Sequence, residues 1–221
     1  MSQSKRIDTL CGLLTKTEVF ADIGCDHGYC TEYMLKNGLC DFAIFSDISA
    51  GSLDKAKKLL APFVKQGKAK AVLGGGFYGV ESSVGQVLIA GMGGCEIIGI
   101  LSDKKYGFMP KRFVFQPMQN ADKLRRYILE NGGYIERDFT FQDVKFYDTI
   151  VGGVGKQITP YTEEEYEFGR ENLAKKGEAF VKRTKKQLAQ IEEVLKNPEV
   201  SEESKKELLE RKKRLQGALE R

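Results

Sequence analysis

The feature that most constrains the fold is a regular alternation of short apolar runs with amphipathic segments before residue 160. Five apolar runs predict strands at Val19–Ile23, Phe42–Asp47, Lys70–Leu73, Gln86–Ala90 and Arg112–Gln116. Helical spacing between the runs predicts helices at Tyr29–Asn37, Ser52–Gln66, Cys95–Leu101 and Asn120–Asn131, the last with Asn120 as its N-cap. This alternation predicts an α/β fold whose parallel sheet is covered on both faces.

Two further runs, Tyr134–Phe141 and Val144–Val151, are separated only by Gln142 and Asp143. Such a short connection predicts an antiparallel hairpin at the end of the sheet. Ligands of open parallel sheets bind at the carboxyl ends of the strands. We therefore expect the glycine-rich and acidic loops that follow the strands to hold any functional site.

Charge density rises sharply at Pro160. Residues 160–221 hold 15 Lys and Arg and 14 Asp and Glu among 62 residues, whereas residues 1–159 hold 20 and 17. Val181, Leu188 and Leu195 are spaced seven residues apart, as are Leu208 and Leu215, and Asn197-Pro198 lies between the two series. This pattern predicts an antiparallel helical hairpin of coiled-coil type. The expected domains are 1–158, which binds the ligand, and 159–221, the hairpin.

The composition excludes several classes of chemistry. The chain has one His, and its five Cys form no Cys-x-x-Cys pair, so neither a two-His metal site nor a disulfide framework is expected. No apolar run approaches the ~18 residues that span a bilayer, and no secretory h-region is visible, so we expect a cytoplasmic protein without a membrane partner. The net charge of +4 permits a nucleic-acid partner without arguing for one.

The loop from Asp22 to Gly28 is the first candidate site. Gly24 allows a tight turn beside a ligand, but Asp22 and Asp26 place two carboxylates where a dinucleotide would put its pyrophosphate. Like charges disfavour NAD, FAD or ATP there and favour a nucleoside that carries a cation. Asp47, 25 residues after Asp22, can accept hydrogen bonds from ribose hydroxyls. The competing interpretation is a glycine turn with Asp capping the helix.

Three later loops fall at the ends of the next strands. Gly74-Gly75-Gly76 permits close approach of the backbone, and Phe77 offers a ring to an adenine. The loop from Ala90 to Gly94 leaves room for a flat base and exposes carbonyl oxygens, and Gln116 can present an amide to a base edge. The alternatives are tight turns and helix caps. Gly152–Lys156 does not match a P-loop and is interpreted as a hinge.

Two basic clusters lie in the charged tail: Lys182, Arg183, Lys185 and Lys186 form one, and Arg211, Lys212, Lys213 and Arg214 the other. Charge runs on helices are usually solvated faces, which is the plainer interpretation here. As phosphate contacts, they would position a nucleic acid without reading its sequence.

Three segments together resemble a known family. Ala21–Tyr29, Ile89–Gly94 and Phe115–Met118 are similar to signatures of the bacterial tRNA adenine-N1 methyltransferases that act on position 22 of tRNA. The resemblance covers nearly the whole chain. It implies a Rossmann-like class I methyltransferase sheet, S-adenosylmethionine as cofactor with S-adenosylhomocysteine as product, no metal, tRNA as partner, and no obligate protein partner. The chain departs from the family at Gly75, where an acidic residue is expected, and at Cys25, where a small hydroxyl residue is common.

The resemblance also implies roles for individual residues. The implied catalytic residues are Asp26, His27 and Gln116. The implied cofactor-binding residues are Asp22, Gly24, Cys25, Asp26, His27, Asp47, Ile48, Gly75, Gly76, Phe77, Ala90, Gly91, Met92 and Gly93, and the two basic clusters are the implied RNA contacts. Deleting residues 160–221 is expected to abolish tRNA methylation and to leave cofactor binding. The alternatives are a methyltransferase of small molecules and a non-catalytic RNA-binding module with a decayed cofactor site.

Overall fold

A computed structural model describes residues 4–220 and contains a seven-stranded sheet of order β3-β2-β1-β4-β5-β7-β6. The strands are β1 (Thr17–Ile23), β2 (Cys40–Asp47), β3 (Ala69–Leu73), β4 (Gln86–Met92), β5 (Phe113–Pro117), β6 (Gly133–Gln142) and β7 (Phe146–Val154). Strands β1 to β5 are parallel, and β7 pairs antiparallel with both β5 and β6. The predicted α/β sheet and its terminal hairpin are confirmed.

Nine helices are present in the described part of the chain. They are α1 (Lys5–Cys11), α2 (Tyr29–Lys36), α3 (Ala50–Lys65), α4 (Gly94–Leu101), α5 (Ala121–Glu130), α6 (Glu163–Phe168), α7 (Arg170–Lys175), α8 (Glu178–Leu195) and α9 (Glu202–Glu220). Helices α1, α6 and α7 were not predicted. Pro62 is accommodated within α3. Asn120 occupies the N-cap position of α5, but its side chain makes no cap hydrogen bond because its backbone is left-handed, at φ 54°.

The core lies on both faces of the sheet. On one face, Phe20 and Phe45 pack under Leu10, Met34 and Leu60, which come from α1, α2 and α3. On the other face, Phe113 and Phe115 stack on each other, with ring centroids 4.2 Å apart, in the cluster that includes residues of α4 and α5. Burial of each such side chain contributes ~1.5–3 kcal/mol to the free energy of folding. The helical layers on both faces therefore hold the strand ends in fixed positions.

Gly152 and Gly153 belong to strand β7, so their interpretation as a hinge was wrong. A Cβ at Gly152 would collide with the carbonyl oxygen of Tyr134, and one at Gly153 with that of Lys111. The two glycines therefore allow neighbouring backbone to approach the strand closely.

The charged tail forms the predicted antiparallel hairpin of α8 and α9, with a small core of its own: Phe168, Phe180, Ile191, Leu215 and Ala218. A buried polar network joins this tail to the sheet. Arg125 of α5 and Asp138 of β6, each 1% exposed, form an ion pair at 3.2 Å. Asp138 also accepts hydrogen bonds from the backbone N–H groups of Arg170 and Glu171, at 3.0 and 2.8 Å, and so caps α7.

Candidate functional site

The loop after β1 is fixed by its backbone. Gly24 N–H and Cys25 N–H both donate to the carbonyl of Ser46, at 2.8 and 2.9 Å, which ties the loop to β2. Gly24 has φ +71°, a conformation that favours glycine, and a Cβ there would collide with the Cε atom of Met92. The loop after β1 and the end of β4, which were predicted as separate parts of the site, are therefore in contact.

Asp22 is a buried carboxylate at the end of β1. Its side chain is 5% exposed and accepts a hydrogen bond from Thr31 Oγ1 at 2.8 Å. Burial raises the pKa of Asp22 to about 6, against the lowering effect of the Thr31 hydrogen bonds. A carboxylate held with so little solvation gains strongly from a cationic partner.

Two further carboxylates surround this loop. Asp47 accepts hydrogen bonds from Asp26 N–H at 3.2 Å and from Ser49 N–H at 2.8 Å. Asp26 is exposed and has φ +46°, a conformation that costs a non-glycine residue about 1 kcal/mol or more. His27 Nε2 lies 3.7 Å from Asp26 Oδ2, and the His27 ring stacks on Tyr29 with centroids 5.4 Å apart. Asp22, Asp26 and His27 thus line the same opening.

That opening is a cavity of about 250 Å³ lined by side chains from α1, from the loop after β1 and from β4. Its polar lining consists of Arg6, Asp22, Asp26 and His27, and its apolar lining includes Leu88 and Ala90. The lining is thus mainly acidic on the β1 side, with a guanidinium facing it from α1. Burial raises the pKa of the Cys25 thiol, so Cys25 adds no charge to this lining.

An exposed apolar surface lies beside the carboxyl ends of β2 and β3. Ile48 is 77% exposed and Leu73 56%, and a Cβ at Gly75 would touch Ile48 at 3.4 Å. Phe77 is not part of this surface, which corrects the expectation that its ring covers an adenine. It is 1% exposed and stacks on Phe108, with centroids 4.2 Å apart, because the loop turns its ring into the core.

With that exception, the predicted cofactor residues lie at the carboxyl ends of β1 to β4. They are Asp22, Gly24, Cys25, Asp26, His27, Asp47, Ile48, Gly75, Gly76, Ala90, Gly91, Met92 and Gly93. Gln116 follows on β5, fully buried and in register with Ala90. Their roles in binding stay predictions.

Arg6 is a residue of this site that the sequence analysis missed. Its Nε donates to Gln116 Oε1 at 2.7 Å, and its guanidinium lies against Gly91. Gly91 has φ +85°, and a Cβ there would lie 2.8 Å from Arg6 Nη2. The sequence signal for α1 was Ser4, which caps the helix by accepting a hydrogen bond from Ile7 N–H at 3.4 Å. The helix has only seven residues, too few to show a clear helical periodicity.

The basic residues of the tail divide into two groups. Three are in ion pairs: Arg183 with Asp148 at 2.8 Å, Lys212 with Glu192 at 2.8 Å and Arg214 with Glu167 at 2.9 Å. The other five, Lys182, Lys185, Lys186, Arg211 and Lys213, are exposed and form no ion pair with any residue between 4 and 220. The second group is therefore available to an outside partner, and the first mainly fixes the tail.

A groove of about 490 Å³ lies between the start of α5 and the helices α8 and α9. Gln119 and Asn120 line one wall, and Arg183, Gln187 and Arg211 line the other. Within residues 4–220, no cluster of His, Cys, Asp and Glu has the arrangement of a metal site, and no helix is long and apolar enough to cross a membrane.

Comparison with known proteins agrees with this geometry. A sequence model of the family described as tRNA (adenine(22)-N(1))-methyltransferase matches residues 20–220. The Bacillus subtilis tRNA (adenine(22)-N(1))-methyltransferase is 29% identical over 167 residues, which cover 72% of this chain and 68% of that protein. A protein of Mycoplasma pneumoniae, provisionally named as a tRNA methyltransferase, is 32% identical over 169 residues, covering 73% and 76%.

Solved structures share the whole architecture, including the tail. M. capricolum TrmK, in complex with its cofactor product S-adenosyl-homocysteine, superposes with a TM-score of 0.87 at 21% identity, covering all of this chain and 99% of that one. A protein of Listeria monocytogenes with no characterised function superposes with the same score at 26% identity. The fold is therefore one that these proteins have in common from end to end.

Proposed function

The chain belongs to the tRNA (adenine(22)-N(1))-methyltransferase family, and from that premise we propose that it transfers a methyl group from S-adenosylmethionine to N1 of adenine 22 in tRNA. One observation supports the proposal above the others. The desolvated carboxylate of Asp22 and the nearby carboxylates of Asp26 and Asp47 form an acidic site at the carboxyl end of the sheet. A cofactor with an ammonium and a sulfonium group fits that site, and a pyrophosphate does not.

The proposed cofactor pose follows the loops. Asp22 and Asp26 lie near the methionine end, where the ammonium group of the cofactor compensates the buried charge of Asp22. Asp47 has two carboxylate oxygens, and each already accepts one backbone N–H, so its remaining lone pairs are available to the ribose hydroxyls. The exposed surface of Ile48 and Leu73 lies beside Gly75 and Gly76 and is suited to an adenine ring.

For the methyl transfer itself, the main task of the protein is to align the target base with the methyl group of the cofactor. Adenine N1 is unprotonated at neutral pH and attacks the methyl carbon, so the N1–CH₃ bond forms as the S–CH₃ bond breaks and the sulfonium becomes a thioether. Most of the acceleration comes from holding N1, methyl and sulfur in line. The product base is cationic, and the carbonyls of Ala90 and Gly91 together with Asp26 stabilise the developing charge. His27 positions Asp26.

The target atom lies on the Watson–Crick edge of its base, so the enzyme must extrude that base from folded tRNA, at a cost of a few kcal/mol. We propose that the tail, residues 159–221, holds the tRNA body by its phosphates through Lys182, Lys185, Lys186, Arg211 and Lys213. The proposed partner is thus tRNA, without a membrane or an obligate protein partner, and the proposed compartment is the cytoplasm.

Methylation of a panel of tRNA transcripts with labelled S-adenosylmethionine tests the reaction. We expect label at position 22 of transcripts with adenine there, and none when that adenine is replaced by guanine. Free adenosine is the second arm, because its methylation would favour a small-molecule enzyme. Failure to bind the cofactor would favour a non-catalytic RNA-binding module. An Asp26→Ala variant that keeps both cofactor affinity and turnover would remove Asp26 from the mechanism.

The role of the tail is best tested with point variants. Deleting residues 160–221 would expose the buried ion pair of Arg125 and Asp138, which the tail covers. The informative variant replaces Lys182, Lys185 and Lys186 by Ala. Its matched control replaces Lys55, Lys57 and Lys58, three exposed lysines of α3. We expect the first to weaken tRNA binding and to reduce the slope of log K against log salt by about 1 per lost phosphate contact. Equal effects from both triple variants would contradict the assignment.

A further inference from the structure

Arg6 places a positive charge in a cavity that is otherwise acidic. The residue is half-buried on α1, and it lines the same cavity of about 250 Å³ as the carboxylates Asp22 and Asp26. Asp26 Oδ2 lies 3.7 Å from His27 Nε2, and Asp22 accepts a hydrogen bond from Thr31 Oγ1 at 2.8 Å. In the described part of the chain, neither carboxylate forms an ion pair with the guanidinium. Charges of both signs thus line one opening without being paired with each other.

The surrounding structure fixes the guanidinium of Arg6 and leaves its two terminal nitrogens free. Its Nε donates to Oε1 of the buried Gln116 at 2.7 Å, and its backbone N–H donates to Asp143 Oδ2 at 3.0 Å. The guanidinium carbon lies 5.6 Å from the ring centroid of Tyr147, and the missing side chain of Gly91 leaves space beside Nη2. Among the residues that the structure describes, none accepts a hydrogen bond from Nη1 or Nη2. These two groups are therefore available to a ligand in the cavity.

This separation of charges fits a zwitterion. A half-buried guanidinium without a counter-charge is costly, so an anion that enters the cavity stabilises it. A desolvated carboxylate such as Asp22 likewise gains from a cation. The methionine end of S-adenosylmethionine carries both groups on one carbon, an ammonium and a carboxylate. The N–H groups of a guanidinium form short, strong hydrogen bonds with a carboxylate, so the free end of Arg6 suits the second group.

We propose that Arg6 is a specificity-determining residue that binds the carboxylate of the methionine end of the cofactor, an inference that rests on the proposed function. Asp22 binds the ammonium group on the same carbon, so the two charges of the cofactor meet two charges of the protein. The site therefore selects a cofactor with an intact amino acid end. It discriminates against decarboxylated S-adenosylmethionine, which keeps the ammonium and sulfonium groups but leaves the guanidinium without a partner.

A phosphate group of the RNA is the other common partner of an arginine, and it does not fit this cavity. Asp22 and Asp26 line the same space and would repel the charge of a phosphate. A zwitterion brings a cation for the carboxylates together with an anion for Arg6. The expected signature is therefore a change in discrimination between cofactors, measured in the absence of RNA.

The experiment measures the Kd of S-adenosylmethionine and of decarboxylated S-adenosylmethionine by titration calorimetry, without tRNA. The quantity compared is the ratio of the two constants for each protein. Both constants come from the same preparation, so a loss of folded protein does not mimic a change in the ratio. The test variant is Arg6→Gln, which keeps much of the aliphatic stem. The matched control on α1 is Lys5→Ala, an exposed lysine outside the cavity, and Asp22→Asn is the control on the ammonium side.

We expect the wild-type protein to bind S-adenosylmethionine about tenfold or more tightly than the decarboxylated compound, the value of one charged hydrogen bond. Arg6→Gln is expected to bring the ratio close to 1 by weakening S-adenosylmethionine alone. Asp22→Asn is expected to weaken both ligands and to keep the ratio, because both carry the ammonium group. Lys5→Ala is expected to change neither constant. Arg6→Met also removes the charge and keeps an aliphatic stem, and it replaces Arg6→Gln if that variant does not fold.

A wild-type ratio close to 1, or an Arg6→Gln ratio equal to wild type, would overturn the inference. So would an Arg6→Gln variant that weakens both ligands equally, because a purely structural role of Arg6 has that effect. These outcomes differ from failure of the proposed function. In that case the wild-type protein would bind neither compound, or it would bind S-adenosylmethionine and not methylate the tRNA that carries adenine at position 22. Absence of binding would overturn the inference as well, whereas absence of methylation would leave the two Kd ratios to decide it.

Discussion

Replacing Asp22 by Asn is expected to stabilise the unliganded protein while it weakens cofactor binding. Asp22 is buried at the end of β1 with Thr31 Oγ1 as its hydrogen-bond donor, and burial raises the pKa of its carboxyl to about 6. Asparagine keeps an oxygen that accepts from Thr31 and has no charge to desolvate. The wild-type carboxylate is therefore unfavourable for folding, and its proposed contact with the ammonium group of the cofactor offsets that cost.

The size of the effect follows from the pKa. A rise from 3.8 to about 6 corresponds to a cost of about 3 kcal/mol, at ~1.36 kcal/mol per pKa unit. Between these two values the folded state binds more protons than the unfolded state, so wild-type stability falls as pH rises through that window. Above about pH 6 the cost is fully present. The Asp22→Asn variant does not have this desolvation cost. Its gain in free energy of unfolding over wild type is therefore expected to be largest at neutral pH and to vanish near pH 4.

Urea unfolding at several pH values measures this difference, with Asp41→Asn, an exposed aspartate of β2, as the matched control. The variant is expected to gain up to about 3 kcal/mol at neutral pH and to bind S-adenosylmethionine at least tenfold more weakly by calorimetry. A variant less stable than wild type at neutral pH, or a gain that does not change with pH, would refute the reasoning.

Three further predictions follow from the same geometry. Asp138→Asn leaves the charge of buried Arg125 without its partner and is expected to cost about 3–5 kcal/mol in urea unfolding, and a loss below about 1 kcal/mol would contradict it. Gly24→Ala forces a Cβ against Met92 at a positive φ and is expected to weaken cofactor binding at least tenfold in titration calorimetry, so an unchanged Kd would count against the site. Because protonation removes the charge of Asp22, the Kd for S-adenosylmethionine is expected to rise as pH falls below about 6, and a flat profile would exclude Asp22 as the partner of the ammonium group.

The strands and the helices between them could be predicted because each carries its own periodicity and ends at a glycine, proline or acidic loop. The resemblance to a family, carried by three separate loops, then implied the set of cofactor-binding residues, whose roles stay predictions. Phe77 was placed wrongly because an aromatic residue after three glycines has the same sequence pattern whether its ring faces a ligand or Phe108. Only the packing of the loop distinguishes the two cases.

What the sequence could not show depends on distant contacts. Helix α1 is short, and its position rests on Asp143 and Gln116, which lie 137 and 110 residues from Arg6 along the chain. In the sequence, Gly152 and Gly153 come directly after the predicted hairpin and have the composition of a flexible linker, although they belong to β7. Their real constraint is the backbone of Tyr134 and Lys111 beside them, which no local pattern encodes.

The ion pair between Arg183 of α8 and Asp148 of β7 has a mechanical consequence. Arg183 lies between the exposed Lys182 and Lys185, and β7 lies between β6 and β5, the strand that carries Gln116. In the proposed function, a polyanion bound to Lys182 and Lys185 is therefore connected through this one ion pair to β7, the strand next to β5. The proposed RNA contacts of α8 and the proposed base site near β5 are thus separated by a single ion pair and one strand.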